Sequence, residues 1–217
     1  MINFTRTAIA AVALLAMSGC CGKCDKSGSS CTAPAGGTCA DTVIETIMTR
    51  RSVRAYLPEA VDRESMQRIV ECGINAPSGM NSQPWAVRIV DSKEYIDGLT
   101  ELFVASRPEA AADPSFRNMF RNAPTVVFIA SPDDGRGEFD CGLLAENMML
   151  AAWSMGIGSC CLGSPVGFML SAPEAAPYVE RLNLPDGYRL LCAIGFGYPD
   201  EKPEAKERDR SKVQFVE

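Results

Sequence analysis

Three stretches of the chain carry residue types that could do chemistry. Arg50-Arg51-Ser52-Val53-Arg54 places three guanidiniums and a hydroxyl within five residues. Planar guanidinium forks hold phosphate oxygens through charge-assisted hydrogen bonds, so the cluster suits a phosphorylated ligand. The same arginines would also answer the dipole of a helix ending there, with no ligand at all. The second stretch is Ala76-Pro77-Ser78-Gly79-Met80-Asn81-Ser82-Gln83-Pro84-Trp85. Pro, Gly and Asn set its turns, while Ser78, Asn81 and Gln83 offer polar groups. It could equally be an ordinary structured loop whose Trp85 fills the core. The third, Lys206-x-Arg208-x-Arg210, is interleaved with Glu204, Glu207 and Asp209, and by itself reads as a solvated charge run.

What is missing narrows the chemistry. The 217 residues include no histidine. That removes Ser-His-Asp triads, Cys-His pairs and every His-ligated metal site. Redox chemistry without imidazole points to an organic cofactor. A net charge of −6 argues against nucleic acid as a partner, which needs a basic surface. It leaves open a local phosphate site where arginines converge.

The elements that must position these groups can be read coarsely. Thr42-x-x-Glu45 is a capping-box pattern ahead of Val43, Ile44, Ile47 and Met48, which share a helical face. A second helix begins after Asp62, with Met66, Ile69, Val70 and Ile74 as its buried stripe. Residues Trp85 to Val90 alternate as a half-buried strand. Asp91-Ser92 caps a helix running through Leu102. Thr125 to Ala130 is a continuous apolar run, which predicts a central strand. Phe139 to Met155 is apolar on nearly all sides, so that helix belongs in a core or an interface. Tyr188 to Gly197 reads as a last core strand, and Val213 to Val216 as an edge strand. Strands and helices do not alternate strictly, which excludes a plain parallel doubly wound sheet. Gly156-x-Gly158-x-x-Cys161 imitates a dinucleotide fingerprint but lacks the third glycine and the preceding strand.

The first forty residues are a different material. Ala8 to Ala16 is apolar but shorter than the about 20 residues a membrane span takes, and fits a secretory signal. It ends Leu15-Ala16-Met17-Ser18-Gly19-Cys20, which resembles the lipobox of bacterial lipoproteins. Residues 1–19 are then a signal peptide, and Cys20 carries the lipid that anchors the chain to a membrane of the cell envelope. A plain cleaved signal is the alternative. Residues 20–40, rich in Cys, Gly and Ser, read as a tether. Cys21-x-x-Cys24 has metal-ligand spacing, but the spacings to Cys31 and Cys39 match neither a zinc ribbon nor the tight ferredoxin run, and incidental disulfides serve as well. The folding domain occupies residues 41–217, with Cys72, Cys141, Cys160, Cys161 and Cys192 inside it. The adjacent Cys160-Cys161 reads either as two small buried residues or as thiols with a redox role.

Considered together, the clusters resemble the nitroreductase family. The arginine cluster and, about two dozen residues later, the loop Ala76 to Trp85 resemble its opening. Asn122-Ala123-Pro124 before an apolar run, Gly156-Ile157-Gly158-Ser159-Cys160-Cys161-Leu162-Gly163, and Gly195-Phe196-Gly197-Tyr198-Pro199 followed by Lys206-x-Arg208 continue the likeness from Asp41 to Glu217. The resemblance implies an α+β fold, a mainly antiparallel sheet flanked by helices in an intertwined homodimer, with FMN at the subunit interface. It implies that Arg50, Arg51, Ser52 and Arg54 contact the FMN phosphate and the polar edge of the ring, and that Lys206 and Arg208 close over the phosphate. Pro77, Ser78, Gly79 and Asn81 would reach the flavin from the other subunit. Cys161, Leu162 and Gly163 would lie along the ring. The implied activity passes a hydride from NADH or NADPH through FMN to a nitroaromatic, a quinone or a similar acceptor, with no catalytic side chain required. Two rival readings are another branch of the fold, such as reductive dehalogenation or flavin breakdown, and a cysteine-rich envelope lipoprotein that binds metal or a partner with a non-catalytic flavin site.

Overall fold

The computed structural model describes residues 39–114 and 116–217. The signal peptide, the lipid on Cys20 and the metal-spaced Cys21, Cys24 and Cys31 lie outside the described residues. Residues Val43–Glu217 form one compact unit. Among the described residues, no helix is long and apolar enough to cross a membrane.

Four strands make one sheet in the order β1-β2-β4-β3, from β1 (Ala86–Val90), β2 (Thr125–Pro132), β3 (Gly158–Leu162) and β4 (Tyr188–Gly197). Every neighbouring pair is antiparallel, as the resemblance implied. β2 is interior and buried almost throughout because helices cover both of its faces. Val126, Phe128 and Ala130 enter one core with α3 (Lys93–Ser106) and α6 (Ser164–Ser171). Val127 and Ile129 enter the other with α2 (Arg63–Ile74) and α5 (Glu138–Ser154). A sheet with two buried faces has no polar positions to spare, which explains the unbroken apolar run. A register shift beside Ile129/Ala130 inserts an extra residue into β4. It lets Leu190 and Ala193, three apart, share one core.

Capping follows the side chains available. Asp62 Oδ1 accepts from Ser65 N at 2.8 Å to open α2, and Ser92 Oγ accepts from Tyr95 N at 3.3 Å to open α3. Gly73 lets α2 close on α5, since a Cβ there would lie 2.5 Å from Met148 Cγ. The remaining helices are α1 (Cys39–Thr49), α4 (Pro108–Ala111) and α7 (Ala176–Arg181).

Several expectations are corrected. α1 begins at Cys39, so Thr42 sits inside the helix and not at its cap; Ala40 favours helix and nothing before Thr42 breaks it. Ile74 is 45% exposed, because α2 ends there as the chain leaves the core. α3 continues past Leu102 to Ser106. Val213 to Val216 forms no strand and is almost wholly exposed, since it pairs with no strand among the described residues. β3 was not anticipated, because Gly-Ser-Cys-Cys-Leu has neither β-branched residues nor clear alternation.

Candidate flavin-binding site

The arginine cluster begins where α1 stops. Arg51 Nη1 donates to Met48 O at 2.9 Å and to Arg50 O at 2.8 Å, so this guanidinium does cap the helix C-terminus. Arg50 is mostly buried and faces Glu146 of α5 at 3.6 Å. Beyond it the chain is fastened to the sheet. Ser52 bridges Ser159 of β3 in parallel, and Val53 N donates to Ser159 O at 3.0 Å. Val53 is fully buried against Gly158, where a Cβ would approach the Val53 Cβ to 2.9 Å. Tyr56 bridges Pro199 beyond the end of β4, and its hydroxyl donates to Val53 O at 2.6 Å. Burial pushes the Tyr56 phenol well above its ordinary pKa, so it stays a donor.

The segment after β4 then turns back. It brings Lys206 and Arg208 to Arg50, Arg51, Ser52 and Arg54 around a cleft of about 120 Å³, which Pro203 and Glu204 complete. Five cationic groups thus face one carboxylate. The space matches a phosphate with a few waters and is too small for a fused ring. Lys206 and Arg208 are therefore not merely a solvated run, whereas Arg210 lies off the cleft in a turn capped by Asp209, whose carboxylate accepts from Ser211 N at 3.0 Å. Beside the cleft, sharing Arg51 and Pro203, runs a groove of about 700 Å³ bounded by Thr49, Trp153 and the segment Pro199 to Pro203.

The second stretch is a strained, pinned loop. Met80, Asn81 and Gln83 adopt φ of 52°, 56° and 48°, although none is glycine. Each such residue costs about 1–3 kcal/mol, and strain of this kind collects at functional sites. The loop is held from α5. Gly79 N donates to the buried carboxylate of Asp140 at 3.1 Å, and the Cys141 thiol donates to Pro84 O at 3.6 Å. Ser78 Oγ accepts from Gln83 N at 3.0 Å and closes the turn. Pro77, Gly79 and Asn81 are exposed, Ser78 is half-buried, and none of the four lines the arginine cleft of its own chain.

β3 carries the third group. Cys161 is exposed, while Leu162 is buried in the core opposite Ala193, so its side chain is not open to a ligand. Gly163 is exposed, and a Cβ built on it would meet nothing within 4 Å. The neighbouring cysteines part company. Cys160 is buried with Leu162, and burial raises its pKa. Cys161 faces the opposite side of the sheet, where a hydrogen bond from Cys192 lowers its thiol to about 7. Cys192 is pushed up in turn.

The structure therefore unites Arg50, Arg51, Ser52, Arg54, Lys206 and Arg208, sets Cys161 on the strand that Ser52 joins and Gly163 just after it, and leaves Pro77, Ser78, Gly79 and Asn81 outside the cleft. Asp140, Glu146 and Cys192 escaped the sequence reading. A signal for Asp140 existed: with Glu138 it is one of two acidic residues in the first turn of a mostly apolar helix. Among the described residues no cluster suited to a metal ion occurs.

A profile of the nitroreductase family matches residues 47–198. The chain is 28% identical over 184 residues to the NADPH-flavin oxidoreductase of Vibrio harveyi, which covers 77% of this chain and 70% of that protein. Its fold aligns with a nitroreductase of Bacteroides fragilis with bound FMN at a TM-score of 0.70 and 30% identity, over 81% of this chain and 98% of the other. The FMN-dependent nitroreductase NfnB of Mycobacterium smegmatis in complex with NADPH aligns at a TM-score of 0.62 and 25% identity, over 82% and 99% of the two chains.

Proposed function

Since the chain belongs to the nitroreductase family, we propose that this FMN-dependent NAD(P)H oxidoreductase reduces conjugated acceptors, nitroaromatics or quinones, with the arginine cleft seating the FMN phosphate. The observation that carries this is the convergence of Arg50, Arg51, Arg54, Lys206 and Arg208, drawn from both ends of the domain, on one phosphate-sized space. FMN supplies reversible two-electron transfer when bound. The chain's part is to hold and orient. The guanidiniums and the Ser52 hydroxyl offer donors to phosphate and to the polar edge of the ring. Attachment of Ser52 and Val53 to Ser159 fixes that anchor relative to β3, so Cys161 and Gly163 are set at a constant distance from it. A positive cleft also favours negative charge on a ligand, which eases electron uptake. No side chain has to move a proton, so the missing histidine costs nothing.

The active unit is a homodimer. Val43, Ile44, Ile47 and Met48 are 51–70% exposed on α1, an apolar face that no part of the described chain covers. The loop that carries Asn81 does not line its own cleft, and a second copy would bring the two together. The mature protein is exported and lipid-anchored at Cys20 in the cell envelope. The Leu15 to Cys20 motif supports that reading, and the mass of the mature N-terminal peptide tests it: an unmodified residue 20 overturns it.

The central test is the visible spectrum of the purified protein with its cofactor identified. A flavin spectrum from about one FMN per chain, bleached by NADH or NADPH and restored by a quinone, is the expected result. A colourless protein that takes up no added FMN overturns the proposal.

A further inference from the structure

Cys192 has no part in the scheme above, yet the sheet sets it beside Cys161. Cys161 lies opposite Ile194 in the β3–β4 ladder, and Cys192 is two residues along the same face of β4. Alternate residues share a face, and diagonal neighbours on one face are within side-chain reach. The two thiols are close enough that Cys192 lowers the pKa of Cys161. Cys160 is excluded as a partner, because it lies on the other face among Leu162 and Ala193. The two thiols differ as a reacting pair should. Cys161 is exposed; Cys192 is half-buried and packs against the core that holds Cys141. An accessible thiolate beside a shielded partner is the arrangement of cysteines that cycle between dithiol and disulfide.

We infer that Cys161 and Cys192 form a redox-active pair that exchanges electrons with the flavin along β3, an entry for electrons that bypasses the nicotinamide. This rests on the FMN reading above. In the reducing direction a sulfur–sulfur bond forms between the two Sγ atoms, and the S–H bond of Cys192 breaks. The Cys161 thiolate and Cys192 sulfur together give up two electrons; the flavin takes the electron pair and the Cys192 proton. An external dithiol then restores the pair by thiol–disulfide exchange and leaves as its own disulfide. The lower pKa of Cys161 makes it the attacking thiolate, and its exposure makes it the sulfur an external thiolate reaches.

The test uses the purified FMN-loaded protein under anaerobic conditions, with dithiothreitol as the reductant and free FMN as the reference. Bound flavin should bleach at least tenfold faster than free FMN. Cys192→Ala should bring that rate down to the reference and leave bleaching by NADPH unchanged. Peptide mass analysis of the air-oxidised protein should find a Cys161–Cys192 disulfide that dithiothreitol removes. A loaded protein that NADPH bleaches, but that forms no such disulfide or keeps its dithiothreitol rate in the Cys192→Ala variant, overturns this inference alone. A protein that retains no FMN overturns the flavin reading and this inference with it.

Discussion

Gly79 and Asp140 are joined by a 3.1 Å hydrogen bond between a backbone N–H and a buried carboxylate. The bond ties the strained loop to the first turn of α5. The Cys141 thiol fastens the other end of the loop through Pro84 O at 3.6 Å, and Gly137 packs so closely on Pro84 that a Cβ there would lie 2.9 Å from the Pro84 carbonyl oxygen. Asp140→Ala should lower stability by about 1.5–3 kcal/mol, the range for a hydrogen bond to a charged group, while Asp140→Asn keeps an acceptor and should lose less. Thermal denaturation gives the stability difference. Limited proteolysis should show new cleavage near Asn81 in the alanine variant alone.

The cleft makes a prediction about affinity. Arg208 is exposed and its Nη1 donates to the nearby backbone at Lys206 O at 2.9 Å, so its removal should spare the fold. Arg208→Ala should weaken FMN binding by roughly ten- to a hundredfold, if one charge-assisted bond of about 1.5–3 kcal/mol is lost. Arg50→Ala should weaken it similarly, and in addition leaves Glu146 without its cation. Fluorescence titration of apoprotein with FMN measures both. Full affinity in both variants would move the phosphate elsewhere.

Gly158 is a packing requirement of the same site. With Val53 Cβ and Cγ2 each 2.9 Å from where its Cβ would be, Gly158→Ala must push the arginine segment off β3. Overpacking of this kind costs about 1–3 kcal/mol. The variant should melt earlier and bind FMN more weakly, whereas Gly142→Ala, on an exposed face with nothing within 4 Å, should do neither. Calorimetry and flavin titration on the two variants separate the cases.

Thiol reactivity should be graded with pH. Only the thiolate is alkylated, so the rate at each cysteine rises with pH toward its pKa and then levels. Cys161, held to about 7 by Cys192, should reach half its maximal rate with iodoacetamide near pH 7. Cys141, pushed up to about 11 by burial, should stay unlabelled across that range. In the Cys192→Ala variant the Cys161 profile should shift to higher pH, because the stabilising donor is gone. Peptide mass quantification at a series of pH values reads all three.

Much of this protein was legible in the chain itself. The apolar run at Thr125, the long helix after Phe139 and the strand from Tyr188 to Gly197 depend on composition and period, which are local properties. The arginine cluster, the turn-rich loop and the missing histidine narrowed the chemistry for the same reason: they state which functional groups exist. Which groups meet was decided by the tertiary structure. Lys206 and Arg208 look like solvent charges until the segment after β4 folds back on Arg50. Cys160 and Cys161 look equivalent until the pleat of β3 sends one into the core and the other toward Cys192. Asp140 becomes a clamp only because α5 packs beneath the loop. Spacing along a chain sets local geometry. Meetings between residues far apart in sequence come from sheet register and from what the cores can bury, and no local pattern encodes those.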